Sequence, residues 1–376
     1  MKLPWTKPAE EKSASSVLVA LSQLGSAQWG GRSPQALMRD GYLRNAIVHR
    51  CVRMVAEAAA SIRLVSSHGE AMRLLDRPMP EDTGTTLLER LYVDLHTTGN
   101  GYLEAVFLEP GGKPAGLQTL KPTRMKANLD RKGWISGWIY KVDRHERTIR
   151  RDTKGWLPIL QIKHFHPEND AYGLSPLSAA RQAIDLHNAG ADWAKALIDN
   201  SAKPSGALVY GRDGSRLTDE QFDRLKMELE TAHSGPGNAG RPLLLEGGLD
   251  WKPMSLSPAE MDFLEARNNA AREIALALGV PPMLLGIPGD NTYANYREAN
   301  LAFWRQTILP LVQKFSQSIG AWLSAGFEEE IVFTCDLDQV PALASERDAL
   351  WTRLANAEFL TRAEKRQIAG LPDDGA

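Results

Sequence analysis

The sequence predicts an α+β protein, and three features carry that prediction. Between residues 117 and 165, short alternating segments (Leu117–Leu120, Arg124–Leu129, Trp138–Val142, Thr148–Arg151 and Leu160–Phe165) are punctuated by Gly and Pro, the pattern of successive β-strands. Two long stretches with apolar residues at helical spacing, Leu177–Ser201 and Ala259–Leu278, bracket a compact insert of mixed pattern. Helices and strands fall in blocks and do not alternate as regular βαβ units.

Taken in order, residues 1–40 carry Lys, Glu, Ser, Gly and Pro clusters around one apolar segment, Val17–Leu24, and read as a flexible arm. Arg44–Ser61 is a predicted helix with Ile47, Cys51, Met54, Val55 and Ala58 on one face, leading into a short strand at Ser61–Ser66. Thr85–Thr98 is a second helix with Leu87, Leu88, Leu91, Tyr92 and Leu95 at core spacing. It stops at Gly99-Asn100-Gly101, before a strand at Tyr102–Leu108. Ser175-Pro176 opens the first long helix, which uses Ala179, Ala183, Leu186, Ala194 and Leu197 and breaks at Lys203-Pro204-Ser205-Gly206. The insert then reads as a strand at Ala207–Tyr210, an amphipathic helix at Thr218–Ala232, a loop at Ser234–Gly240, and strands at Leu243–Leu245 and Leu249–Pro253.

The second long helix has Ser257 as its cap, Pro258 at its first position, and Glu260 and Asp262 in its first turn, where acids favour the helix dipole. Met261, Leu264, Ala271, Ile274, Ala275 and Leu278 share one side, with Arg267, Asn269, Arg272 and Glu273 opposite. Gly279 is the expected stop, and Pro281-Pro282 forbid continuation. A loop over Met283–Asp290 leads to another long helix from about Asn291, through Tyr296, Ala299, Phe303, Trp304, Ile308 and Leu311, with a kink expected at Pro310. A strand at Glu330–Cys335 and two charged helices, Ser345–Ala355 and Thr361–Ala369, capped by Ser345 and Thr361, complete the chain.

At 376 residues, with 43% hydrophobic and 24% charged side chains, the chain is long enough for two or three domains of ordinary folded composition. A formal charge of −2 excludes a uniformly basic nucleic-acid glove. Cys51 and Cys335, far apart, fit a reducing compartment better than a disulfide framework. No apolar run approaches the ~20 residues that span a bilayer, and Ser16–Leu24 lacks the flanks of a signal peptide, so synthesis in the cytosol is expected.

Chemistry-bearing motifs fail on context. Gly235-Pro236-Gly237-Asn238-Ala239-Gly240 has the letters of a dinucleotide fingerprint, but it follows a helix and opens none. Gly25–Ser33 places Gly31 and Arg32 where a P-loop needs Lys and Ser/Thr. His164 and His166 alternate along a strand without a third ligand nearby, which favours a structural role over a metal site. Glu328-Glu329-Glu330 reads as a solvated turn, and no G-x-S-x-G, H-E-x-x-H or paired CxxC occurs. No cofactor, metal or catalytic residue is expected.

The order and local motifs resemble the HK97-type portal proteins of tailed bacteriophages and related particles. The matching pieces are Gly99-Asn100-Gly101-Tyr102, Tyr172-Gly173-Leu174-Ser175-Pro176-Leu177, Lys203-Pro204-Ser205-Gly206-Ala207-Leu208, Ala275–Leu285 with its Gly-Val-Pro-Pro core, Asn295–Gln306, and Phe359-Leu360-Thr361-Arg362-Ala363-Glu364. The resemblance covers roughly residues 40–371 and implies an elongated subunit. Its parts would be a flexible arm (1–40), a β-rich wing (41–174), a stem helix (175–202), a small α/β clip (203–256), a second stem helix (257–280), a tunnel loop (281–294), a long kinked helix with a strand returning to the wing (295–340), and a short helical crown (341–376).

The family implies a ring, typically of twelve subunits, at a capsid vertex of a phage or gene-transfer-agent particle. Double-stranded DNA enters through it, driven by a separate terminase, and later leaves. The major capsid protein, the terminase large subunit and a head–tail adaptor are the implied partners, and no membrane is involved. On that pattern Ile287, Pro288, Gly289, Asp290, Asn291 and Thr292 would sit at the channel constriction. Arg267, Arg272 and Glu273 would make ion pairs between stems, and Asp219, Glu220, Asp223, Glu228 and Glu230 would form the clip surface for terminase and adaptor. A small portal suits a gene transfer agent. The alternative is a ring-forming neck, adaptor or scaffold protein without its own DNA channel.

Overall fold

The computed structural model describes residues 33–109, 112–199, 206–210, 249–253, 263–287 and 293–370, with positions 218, 220, 223, 224 and 227 besides. Most of the arm, the 234–240 loop, the 243–245 strand and the Ser257–Asp262 helix start lie outside these residues.

Ser33 caps the first turn, α1 (Pro34–Leu37), and a π-helical segment continues it to Tyr42. The segment 34–40, expected to be flexible, is therefore helical: a Ser-Pro start satisfies the first turn, and Leu37 is buried. Asn45 then caps α2 (Ala46–Ser61), its side-chain oxygen accepting from the N–H groups of Ile47 and Val48. The buried face of α2 is Val48, Cys51, Val52, Val55, Ala56, Ala59 and Ala60, so Ile47, Met54 and Ala58 lie beside the core and not in it.

After the two-residue strand β1 (Leu64–Val65) comes a helix that periodicity did not predict, α3 (Gly69–Asp76). Its cap is the His68 imidazole, whose Nδ1 accepts from Ala71 N–H at 3.1 Å. Thr83 caps α4 (Gly84–Thr98), which ends as expected at Gly99 with φ +79°. A Cβ at Gly99 would stand 2.5 Å from the Gly173 carbonyl oxygen, so this position needs glycine on both counts.

Two three-stranded antiparallel sheets follow α4. In the first, β2 (Asn100–Val106) lies between β3 (Gly116–Leu120) and β7 (Ile159–Lys163). In the second, β5 (Ile135–Val142) lies between β4 (Met125–Leu129) and β6 (His145–Arg150). Each predicted strand is present, with ends shifted by up to a few residues. The second sheet covers a small core of its own, centred on Trp138, Tyr102, Met125 and Ile149.

After β7 comes a short turn, α5 (Pro176–Ala179), which continues as α6 (Arg181–Asp199). The single helix expected from Leu177 is interrupted at Ala180, whose ψ of 0° ends the first turn. Leu186, one of the apolar positions of this helix, is half exposed. At the base of the insert, β8 (Gly206–Tyr210) pairs antiparallel with β9 (Leu249–Pro253), Leu208 facing Trp251. The chain returns along α7 (Phe263–Ala277), packed on α6.

A 3₁₀ turn over Pro282–Leu285 precedes α8 (Tyr293–Phe303), a π-helical segment over Trp304–Ile308, and α9 (Leu309–Phe327). The irregularity lies in the π segment. Pro310 sits in the first turn of α9, directly after that segment. The strand expected over Glu330–Cys335 shrinks to β10 (Thr334–Cys335), because β1 offers only two residues to pair with. Of the last two helices, α10 (Ala344–Asn356) begins directly from a 3₁₀ turn at Pro341–Leu343. Its cap position is therefore Leu343 with no side-chain bond, and Ser345 falls inside the first turn. In α11 (Arg362–Ala369) the Thr361–Glu364 capping box forms as read.

The main core runs through α2, α4, α7, α9 and the inner face of the first sheet. Fully buried Leu87, Leu91, Leu95, Leu103, Ile274, Ile308 and Phe315 each contribute about 1.5–3 kcal/mol on leaving water.

Candidate channel loop and ring-forming surfaces

Helices α5 and α6 are fixed to α2 and α4 by polar groups taken out of water. Ser175 accepts from Leu177 N–H to cap α5 and donates its hydroxyl to the carbonyls of His96 (3.1 Å) and Thr97 (2.9 Å). Further along α6, Asn45 Nδ2 donates to Asn188 Oδ1 at 2.9 Å and lies 3.1 Å from His187 Nδ1. Asn188 Nδ2 in turn donates to the Asp40 carbonyl at 2.7 Å, and Arg44 pairs with Asp192 at 2.5 Å. Asn45, His187 and Asn188 are all buried, so each depends on the others for its hydrogen bonds. Burial, followed by the Arg267 charge, lowers the His187 pKa, which places Arg267 of the returning helix near this joint.

On α7 the core side is Ala270, Ala271, Ile274, Ala275 and Leu278, while Arg267, Arg272 and Glu273 are exposed as expected. Leu264, read on the same side as Ala271, Ile274 and Ala275, is 72% exposed, and Leu276 is 79% exposed. With Arg272 between them, they follow one i, i+4 row of the helix. Periodicity correctly gave an apolar position at Leu264 but could not say what covers it.

The loop after α7 starts from a rigid anchor. Gly279 has φ +68°, and its carbonyl accepts from the Thr307 hydroxyl at 2.6 Å. Val280 is buried and donates its N–H to Ala275 O, while Gly286 closes the 3₁₀ turn with φ +70°. Ile287, assigned to the constriction, is 7% exposed, so its side chain belongs to the body and ties the loop down. Pro288, Gly289, Asp290, Asn291 and Thr292 lie outside the described residues. In the insert, Glu220 and Asp223 are exposed on a helical segment, and Asp219, Glu228 and Glu230 lie outside the described residues.

The two histidines of the strand reading part company. His164 is enclosed against His96, ring centroids 5.4 Å apart and edge-on. Burial, with the neighbouring His96 and Lys314 charges adding to it, pushes its imidazole down to about 3. His96 Nδ1 lies 2.8 Å from the Tyr92 carbonyl, which can only accept, so Nδ1 carries the proton and donates it. His166 instead accepts from Glu168 N–H through Nδ1. Among the described residues no three His, Cys, Asp or Glu side chains are grouped to hold a metal ion, and no helix is long and apolar enough to cross a membrane.

Glu328 and Glu329 are exposed but paired. Glu328 takes Lys154, and Glu329 takes Lys113 and the His68 Nε2–H. A cavity of about 470 Å³ between α1 and the start of α5 is lined by Thr98, Asn100, Thr123, His166, Asn169 and Ser175 among others, with no carboxylate in its lining.

Sequence reasoning missed the Asn45–Asn188 joint, the Thr307–Gly279 bond and the exposed Leu276, since each depends on contacts or exposure that no local pattern encodes.

Helices and small antiparallel sheets, with two packed helices bracketing a paired-strand insert, make a mixed helix-and-sheet subunit of the kind portal proteins have. The comparisons agree. The profile of the family described as phage portal protein matches residues 46–370. A chain in the virion of a native gene transfer agent particle is 48% identical, with a TM-score of 0.69 and coverage of 95% of this chain and 98% of that one; the same values hold for the neck of that particle computed with C12 symmetry. A probable portal protein of Streptomyces phage phiC31 is 26% identical over 82% of this chain and 71% of its own length. An HK97-family portal protein from Corynebacterium diphtheriae, 14% identical, shares the fold with a TM-score of 0.59 over 84% of this chain and 99% of its own. This chain belongs to the phage portal protein family. Its function is that of a portal at the capsid vertex of a phage-like particle.

Proposed function

We propose that twelve copies of this chain close into a ring whose central channel passes double-stranded DNA, inward during packaging and outward at delivery. The match along residues 46–370 carries this reading, and the C12 symmetry of the neck containing a 48%-identical relative supports the number. That relative also favours a gene-transfer-agent setting over a lytic phage.

In this assembly the stems line up side by side. Leu264, Leu276 and the exposed Arg267, Arg272 and Glu273 meet a neighbouring copy, the leucines supplying apolar contact and the charges setting register. Exposed ion pairs contribute about 0–1 kcal/mol each, so the apolar row holds the ring more than they do. The loop anchored by Gly279, Thr307 and Ile287 presents Pro288, Gly289, Asp290, Asn291 and Thr292 to the DNA backbone. Short polar groups without a row of cations let a polyanion slide, because few counterions are displaced at each step. The protein is a conduit and not an enzyme. It carries no nucleotide motif, and a separate terminase supplies the work. The acidic set Asp219, Glu220, Asp223, Glu228 and Glu230 receives that terminase and then the head–tail adaptor, while the wing meets the major capsid protein.

The test is the native mass of the purified particle complex, followed by image averages. A closed twelve-membered ring with an open centre on the tail axis is expected. A chain sitting off that axis, or forming no open ring, overturns the reading in favour of a neck or scaffold protein.

A further inference from the structure

The charge of this chain is unevenly placed. Residues 121–154 hold eleven Lys and Arg against four Asp and Glu, a net of +7 within a chain whose total is −2. They form the second wing sheet, β4–β5–β6, with its turns. Register fixes what each side of that sheet carries. Met125 faces Tyr140, and Ala127 faces Trp138, which faces Ile149, all turned to the small core. Lys126, Asn128, Lys141, Thr148 and Arg150 therefore project from the opposite side. The β4–β5 turn adds Arg131 and Lys132 at the end where Arg150 finishes β6, and Arg124 and Arg144 stand at the other end.

These cations are not spoken for. Arg124, Lys126, Arg131, Lys132, Arg144 and Arg150 are exposed, and none has a side-chain ion pair or hydrogen bond among the described residues. Of the four local acids, Asp130 accepts from the N–H groups of Lys132 and Trp134, Asp152 from those of Lys154 and Trp156, and Glu146 pairs with Lys141 on this same face, which leaves Asp143 in the β5–β6 turn. We propose that the outer face of this sheet binds the phosphate backbone of double-stranded DNA, as a second DNA contact of the portal outside its channel.

Charge complementarity selects this partner over an acidic protein. Protein interfaces centre on aromatic or apolar anchors and are poor in lysine. The middle of this face is Gly137, Thr148, Asn128 and half-buried Ile139, and the one large exposed aromatic, Trp134, lies in the turn at its rim. A rigid, polar, cationic face without an apolar centre matches a backbone-reading nucleic-acid surface, which confers no sequence preference. The proposal rests on the particle carrying DNA, but the binding it describes does not require a ring.

The experiment is fluorescence anisotropy of a labelled 30-base-pair mixed-sequence duplex titrated with the full chain at several salt concentrations. Engagement of about four phosphates gives a log–log salt slope near −3.6, so affinity should fall about 100-fold between 50 and 200 mM salt. The variant Lys126→Gln/Arg131→Gln/Lys132→Gln/Arg150→Gln should bind at least tenfold more weakly at 50 mM, with a flatter slope. A control removing the same charge elsewhere on the surface, Arg63→Gln/Arg73→Gln/Arg77→Gln/Arg353→Gln, should retain the slope. Equal losses in the two variants, or no binding by the native chain, overturn the proposal. If the native chain ignores DNA while the first variant fails to enter capsids, the face serves an acidic protein partner instead. Ring formation is scored separately by native mass, so a chain that binds DNA without closing a ring counts against the channel reading and leaves this one standing.

Discussion

The Thr307 hydroxyl donates to the Gly279 carbonyl at 2.6 Å, joining the end of the returning stem helix to the π-helical segment of the long helix. Gly279 sits at φ +68°, and a Cβ placed there would come 2.7 Å from Thr307 Oγ1 and 3.1 Å from its methyl. The two residues thus fit each other in shape as well as in polarity. Widened π turns recur at functional positions, and this one brings Thr307 against the base of the loop proposed to meet DNA.

Gly279→Ala should therefore destabilise the chain by about 1–3 kcal/mol, combining left-handed backbone strain with overpacking. Thr307→Val keeps the bulk but loses the hydrogen bond, for about 0.5–1.5 kcal/mol. Because Thr307 is the group that the new methyl would strike, Gly279→Ala/Thr307→Ala should cost less than the sum of its single changes. Urea denaturation of the native chain, the single variants Gly279→Ala and Thr307→Ala, and the double variant measures that coupling, and strict additivity would remove the steric account.

Trp156 and Trp322 cross-donate. Trp156 Nε1 reaches the Trp322 carbonyl at 2.9 Å, and Trp322 Nε1 reaches the Leu157 carbonyl at 2.8 Å, with ring centroids 5.4 Å apart. This pins the approach to β7 against α9, and Gly326 leaves room for it, since a Cβ there would stand 2.7 Å from the Trp156 ring. Trp156→Ala should cost about 3–5 kcal/mol. Gly326→Ala should cost about 1–3 kcal/mol through overpacking. Thermal melts report both, and an unchanged midpoint for Gly326→Ala would mean that the rings relax freely.

The fold was legible where its causes are local. Gly99 and Gly279 read as stops because a left-handed residue ends a helix whatever surrounds it, and Thr361–Glu364 read as a capping box because both partners lie within one turn. Helix α3 escaped notice because its cap is an imidazole outside the usual Ser, Thr, Asp and Asn set, and because the helix is only eight residues long. The π segment carries no sequence mark. Leu264 shows the limit of periodicity: an apolar row predicts a covered surface, but not whether the cover is the chain's own core or another copy. Ile287 shows the converse, an apolar residue in a polar loop that serves as its anchor. The joint of Asn45 with Asn188 spans 143 positions, beyond any window of pattern.

Acid should weaken the wing in a defined window. His164 is held down to about 3 by burial and by its His96 and Lys314 neighbours, and burial also lowers His96. Unfolding frees both to take protons near their ordinary value of about 6.5. Their contribution to stability is complete above that pH and is lost as pH falls toward the folded values. Asp94 works the other way: burial raises it to about 6, against the pull of Lys121, so between about pH 6 and 4 the folded chain holds a proton that the unfolded chain releases. Around pH 5 the His164 and Asp94 contributions oppose each other one proton for one, so the lowered His96 decides the sign and stability falls as the pH drops. His164→Gln should flatten that fall. Urea midpoints at pH 7, 6 and 5 test this, and the same slope in both proteins would place the acid response elsewhere.

Replacing Asp290 and Asn291 by Gly tests the loop apart from the fold. The exchange leaves Gly279, Ile287 and Thr307 in place, so the melting midpoint should stay near that of the native chain. Packaged DNA per particle, or its retention after purification, should fall, because the polar groups proposed to meet the backbone are gone. Quantifying encapsidated DNA against capsid protein gives the answer. Native yield and retention would remove this loop from the DNA path.

The stem row offers the sharpest separation of monomer from ring. Leu276 is 79% exposed, so Leu276→Asp should change the stability of the isolated subunit by no more than about 0.5 kcal/mol. In a closed ring the same side chain is used once per interface, and there are as many interfaces as subunits. A loss of about 1.5 kcal/mol for one leucine returned to water is then repeated around all twelve contacts, which is enough to abolish closure at working concentrations. Arg267→Glu should act in the same direction but more weakly, and more strongly at low salt than at high, because exposed charges are screened. Native mass of the two variants at matched concentration decides the point. Rings of normal abundance with Leu276→Asp would mean that neighbouring stems meet along some other face.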